Sequence, residues 1–253
     1  MKTDKPILFS GPMVRAILDG RKTQTRRVVK PQPSLFQKEV VGAHWVDPFF
    51  EGDPAFWAVN SEGKYLGKWR KDCPYGQPGG LLWVRETFAD VNSESGPGFA
   101  YRADESFGRP DYDGPDYGAG PSFDYDKYPR GSFSMWYSDL LNGAEGHSWK
   151  PSIHMPRWAS RITLEITGVR VERLQDISED DARAEGIPPF VPEDIGSAAF
   201  KEGPRWYRHN FEDLWQSING PGSWDANPWV WVVEFNPHQM NIDDYLKTQE
   251  GTP

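Results

Sequence analysis

The sequence predicts an α+β fold, a small barrel of curved strands with helices at its sides, and three observations carry that reading. A short apolar run, Pro6-Ile7-Leu8-Phe9, leads straight into a segment with helix start and stop signals. Arg161 to Leu174 alternates apolar and polar residues over the length of about two strands, interrupted at Gly168, where a bulge or sharp bend is expected. Trp229 to Phe235 alternates again: Trp229, Trp231, Val233 and Phe235 fall on one side, Val230, Val232 and Glu234 on the other.

The first helix is bounded by Ser10, which suits an N-cap, by Pro12 in the first turn, and by Gly20, which can take the left-handed conformation that closes a helix. Met13, Ile17 and Leu18 give it an apolar stripe, while Arg15 and Asp19 remain in water. Residues 31–77 carry scattered prolines and tryptophans and read as a mostly non-helical insertion. Leu81 to Phe88 reads as a strand. Residues 89–151 hold eleven acids against five Lys or Arg and few aliphatic residues, so they have little to bury and read as a second long irregular insertion. A helix follows with Ser178 as cap, Asp181 as its capping-box partner and Gly186 beyond its end, where Pro188 and Pro189 forbid continuation. A further helix is expected from about Arg205 to Ile218, with Tyr207, Phe211, Leu214, Trp215 and Ile218 on its core face. The expectation is one domain over 1–253, with a core at about 6–30, 78–88 and 152–236, insertions at 31–77 and 89–151, and a C-terminal tail at 237–253.

With 12 Trp and 14% aromatic residues in a chain that is 37% hydrophobic, much of the core must come from rings. One cysteine, Cys73, excludes an internal disulfide and a multi-cysteine zinc site. The five histidines lack ligand spacing, so neither a metal nor a cofactor is expected. There is no phosphate-cradling or dinucleotide glycine motif. No apolar run approaches the roughly 20 residues that span a bilayer, and no secretion-type leader is present, so a cytoplasmic location without membrane contact is expected. No obligatory protein partner is evident.

Charge is distributed unevenly. The chain carries a net −9, yet between positions 15 and 30 it has six cations (Arg15, Arg21, Lys22, Arg26, Arg27 and Lys30) against one acid, Asp19. Thr23 and Thr25 lie among them, and hydroxyls beside guanidinium groups suit phosphate or nucleobase contacts. A net negative charge disfavours extended nonspecific binding but accommodates a small basic mouth. Glu185 is conspicuous for another reason. It stands in the last turn of its helix, where the dipole disfavours an anion, four residues after Asp181, so its ionisation should be resisted and proton transfer is a reasonable role.

The run Gly20-Arg21-Lys22-Thr23-Gln24-Thr25-Arg26-Arg27 after a short helix resembles the signature of ASCH-domain proteins, which are similar in fold to PUA domains. Leu81-Leu82-Trp83-Val84-Arg85-Glu86, the stretch from Trp149 through Arg161 to Ile187, and Asn227 to Phe235 resemble further strands and a helix of the larger, phage- and prophage-type members. The resemblance covers about half of the chain and implies a PUA-like barrel. Some small ASCH proteins are amidohydrolases that deacetylate N4-acetylcytidine with a Lys, a Thr and a Glu; carried over, these are Lys22, Thr25 and Glu185. In that chemistry a neutral Lys22 takes the proton of Thr25, Thr25 attacks the amide carbonyl, and Glu185 protonates the leaving amine. Arg21, Thr23, Arg26, Arg27 and Arg85 would contact a modified nucleoside or RNA. The alternatives are a non-catalytic RNA-binding module, with Lys and Arg on phosphate and rings stacking on bases, and a ribonuclease using His154 or His209.

Overall fold

In the computed structural model, residues 4–32, 42–46, 55–62, 64–68, 72–109, 126, 128, 133–188 and 207–250 are described. The strands are β1 (Asp4–Leu8), β2 (Gln24–Val28), β3 (Gly42–Val46), β4 (Ala55–Val59), β5 (Tyr65–Lys68), β6 (Leu81–Arg85), β7 (Phe88–Ser93), β8 (Gly96–Tyr101), β9 (Ser106–Gly108), β10 (Met135–Trp136), β11 (Thr163–Arg173) and β12 (Trp229–His238). The helices are α1 (Gly11–Leu18), α2 (Tyr137–Leu141), α3 (Glu179–Ala184), α4 (Tyr207–Asn219) and α5 (Ile242–Glu250). The class is α+β, and the chain divides into two compact units.

The first unit comprises Ala16–Gly80 and Glu165–Pro237. Its strands pair in the order β5-β4-β3-β11-β12-β2. β2 and β12 run antiparallel, setting Gln24 opposite Glu234, Thr25 opposite Val233, Arg26 opposite Val232 and Arg27 opposite Trp231. β2 and β5 do not pair with each other among the described residues, so the pairings there form an open sheet and close no barrel. Val230 and Val232 pack with Leu174, Ile177, Ala182, Phe211, Trp215 and Trp224, burying the inner faces of α3 and α4. The expected α4 stripe holds for Tyr207, Phe211 and Trp215, whereas Ile218 is exposed, one turn beyond the end of that packing. Positions 205 and 206 lie outside the described residues.

Two expectations for this unit are corrected. Gly168 does not interrupt β11, which continues as an 11-residue strand; a Cβ at that position would sit 2.5 Å from Glu234 Oε2, so the glycine admits a carboxylate from β12. The 31–77 segment, read as irregular, contributes β3, β4 and β5, because short runs between its prolines are long enough to pair.

The second unit comprises Asp4–Arg15, Leu81–Leu164 and His238–Pro253. β1 runs parallel to β6, with Leu8 opposite Arg85. The order β10-β7-β8-β9 forms the other sheet, with a β7–β8 hairpin that turns between Ser93 and Gly96, where Gly96 has φ +99°. The described part of the 89–151 segment therefore contributes β7 to β10 and α2. Among its described residues the buried side chains are mostly rings and alanines, with Val91 and Leu140 as the aliphatic members: Phe99 and Tyr101 pack with Phe88, Tyr128, Phe133 and Met155, and Phe99 meets the Phe133 ring at 5.5 Å. The segment expected to be a tail carries α5, whose Ile242 and Tyr245 bury Leu81. Asn241 caps it, accepting from the Asp243 N–H at 2.9 Å while its amide donates to the Ser160 carbonyl at 2.7 Å.

Candidate functional site

The site is assembled in the first unit where two helix ends meet. α1 stops at Gly20, φ +71°, and the Arg21 and Lys22 N–H groups both donate to the Ala16 carbonyl, at 2.8 and 2.9 Å. The chain then straightens: Thr23 N–H donates to the Ala184 carbonyl, and Lys22 pairs with Glu185 in an antiparallel bridge. α3 begins as the sequence predicts, with Ser178 Oγ accepting from the Asp181 N–H at 3.0 Å. It closes at Gly186, φ +83°, where a Cβ would lie 2.7 Å from Ala16 Cβ and 2.9 Å from Lys22 Cβ. Glycine there serves both the turn and the close approach of the two segments.

Lys22 is wholly buried and Glu185 is 5% exposed. The Lys22 ammonium donates to Glu185 Oε2 at 2.6 Å, to the Gln24 carbonyl at 2.7 Å and to the Glu185 carbonyl at 3.0 Å, one acceptor for each of its three protons. Arg26, also buried, lies beside them: NH1 donates to Gln24 Oε1 at 2.6 Å and Glu185 Oε1 at 3.3 Å, and NH2 pairs with Glu172 Oε1 at 2.6 Å and Asp181 Oδ2 at 3.2 Å. Arg170 extends the network outward, pairing with Glu172 and Asp181, each at 3.0 Å, and with Glu234. Three cations thus face four carboxylates. The acid pair Asp181 and Glu185, expected to repel, instead share the guanidinium of Arg26.

Burial is the main influence on Lys22 and draws its pKa below the ordinary lysine value; Glu185 opposes this by charge and hydrogen bond, and Arg27 and Arg26 add to the lowering. Arg21 takes no part in that effect: its guanidinium turns to Asp19 and to the Gly186 carbonyl, both at 2.8 Å. Burial raises Asp181, but Arg170, Arg26 and the bonds from Gln24 and Ser178 outweigh it and leave its pKa lowered.

The remaining predicted residues fall as follows. Thr25 is 2% exposed, and the alternation of β2 sets it with Arg27 on the face opposite to Gln24 and Arg26, against Val233 and Trp231. The structure therefore brings Lys22, Glu185 and Arg26 together, while Thr25 stands on the other side of its strand. Burial lowers the pKa of Arg27, opposed by Tyr75 and Glu185. Thr23 is exposed, whereas Arg26, predicted to touch ligand, is buried in the acid network. Arg85 belongs to the second unit, where it lies over the Trp83 ring at 5.5 Å and donates to the Ile153 carbonyl. His154 is exposed on a short 3-10 turn, and His209 on α4 lies 3.9 Å from Asp213.

Arg170, Glu172 and Glu234 were not anticipated. The signal was present: in β11 the charged pair Arg170 and Glu172 alternates with buried Val169 and Val171, and Glu234 interrupts the apolar run from Trp229 to Phe235 in β12. Among the described residues, no group of three or more His, Cys, Asp or Glu is arranged to hold a metal ion. None of their helices is long and apolar enough to cross a membrane. The chain matches no protein-family model, no curated protein and no solved structure.

Proposed function

We propose that the chain is a PUA-like, ASCH-type protein that binds a modified nucleoside or RNA, and that it hydrolyses the amide of N4-acylated cytidine. The observation that carries this reading is the buried Lys22–Glu185 hydrogen bond of 2.6 Å, between groups 163 residues apart. A proton crossing that bond converts ammonium and carboxylate into amine and carboxylic acid, the two neutral forms that the chemistry requires. The step requires the Thr25 side chain to be brought to the Gln24 face of β2 in the substrate complex; Thr25 Oγ then attacks the acyl carbon as its proton passes to the Lys22 amine. The C–N bond breaks, with the Glu185 proton going to the departing N4 amine. The acyl-Thr25 ester is hydrolysed by water, which restores Thr25 and releases the carboxylic acid. Incubation with N4-acetylcytidine tests this: wild type releases cytidine, and Lys22→Ala, Thr25→Ala and Glu185→Ala each abolish release. No cytidine from wild type overturns it.

A second reading, a non-catalytic nucleic-acid-binding module, is favoured by two specific observations: all three Lys22 donors are engaged, and Thr25 lies on the opposite face of β2. On that reading Lys22 is a strut, and exposed Arg21 and Thr23 meet the ligand. Retardation of an RNA oligonucleotide that weakens with salt, without cytidine release, selects it.

A further inference from the structure

We propose that Arg26 is the positioning residue of this site, the group that presents Glu185 to Lys22, and that Glu172 holds Arg26 in place. Its kinetic consequence rests on the hydrolase reading; its structural consequence does not. Glu185 lies at the very end of a six-residue helix, α3, so the local backbone alone does little to fix its carboxyl plane. Two cations fix it instead, by taking one oxygen each: Lys22 holds Oε2 at 2.6 Å and Arg26 NH1 meets Oε1 at 3.3 Å.

Arg26 is itself immobilised. Four hydrogen bonds and an ion pair hold it: Nε and NH2 donate to Glu172 Oε1 at 3.0 and 2.6 Å, NH1 donates to Gln24 Oε1 at 2.6 Å and to Glu185 Oε1 at 3.3 Å, and NH2 lies 3.2 Å from Asp181 Oδ2. A guanidinium buried to 4% exposure and turned to acids and an amide is withdrawn from solvent, which separates Arg26 from the ligand-binding role its place in the basic run suggests. A lysine in its place keeps the charge but has three donors on one nitrogen, too few and too clustered to span Glu172, Asp181, Gln24 and Glu185 together.

The experiment combines Arg26→Lys and Glu172→Gln with two measurements. The first is the 1H–15N signal of the Lys22 ammonium, assigned by its loss in Lys22→Met; the second is the steady-state kinetics of N4-acetylcytidine hydrolysis. Arg26→Lys is expected to shift or broaden the Lys22 signal while signals of distant residues stay in place, and to lower kcat about tenfold or more with KM within about twofold, as for a misplaced reacting group. Glu172→Gln is expected to do the same to a smaller extent. A Lys22 signal and a kcat unchanged in Arg26→Lys overturn the proposal. Should Arg26→Lys fail to fold, Glu172→Gln decides by the same two readouts. If wild type hydrolyses nothing, the hydrolase reading falls by itself and the Lys22 signal still settles the part of Arg26.

Discussion

A buried carboxylate persists only where cations reach it, and Glu86 and Glu185 meet that requirement differently. Glu86, 1% exposed, receives Arg161 in a fork of 2.9 and 3.0 Å, and the same guanidinium grips Asp104 and lies 4.1 Å from the Tyr101 ring centroid. Burial raises the Glu86 pKa, and Arg161 only partly offsets this. Arg161→Met, which strands a buried anion, is expected to cost about 3–5 kcal/mol in urea unfolding, and Arg161→Lys less; equal, small losses would show that the fork contributes little. Glu185 has a lysine and an arginine in place of one fork. Lys22 and Glu185 were legible in the sequence because cap residues locate both helix ends, so the residues just inside and beyond them are known. The role of Arg26 was not legible. A cationic run looks the same whether it faces water or three acids, and those acids lie more than 140 residues further along the chain.

At the scale of elements, the glycines that close α1 and α3 both have left-handed backbones, but only one is crowded. At Gly20 a Cβ meets nothing within 4 Å; at Gly186 it meets Ala16 and Lys22 below 3.0 Å. Gly20→Ala is therefore expected to cost about 1 kcal/mol, the strain of positive φ alone, and Gly186→Ala at least about 2 kcal/mol more, measured as the difference in unfolding midpoint. Equal effects would mean that the two segments do not approach closely. α3, α4, β6 and β12 were recoverable from periodicity and caps. The β7–β8 hairpin and α5 were not: the first buries Phe88, Ala89, Asp90 and Val91 in succession without a period of two, and the second is a short helix whose anchoring residues, Ile242 and Tyr245, are too few to set a period.

For the whole molecule, the net charge of −9 conceals local balance, and that balance sets the acid limit of stability. Asp104 and Asp181 both have lowered pKa values, because hydrogen bonds and charge from Arg161, and from Arg170 and Arg26, outweigh burial. In the unfolded chain each binds its proton at higher pH than in the fold, so stability is complete above the ordinary aspartate range and lost as pH falls through the folded values. Urea unfolding at about pH 7 and about pH 3 should show that loss, and Asp181→Asn should diminish it; an unchanged slope in the variant would deny Asp181 its part. The sequence conveyed the α+β class and the core segments at each end, but not the partition into two units, since sheet order depends on pairings between strands distant in the chain. Both readings of the site depend on two such segments meeting through Lys22 and Glu185, and a double-mutant cycle measures that meeting. Lys22→Met and Glu185→Gln should each cost about 3–5 kcal/mol in urea unfolding, with the double variant costing at least about 2 kcal/mol less than their sum. Strictly additive losses would contradict the buried pair.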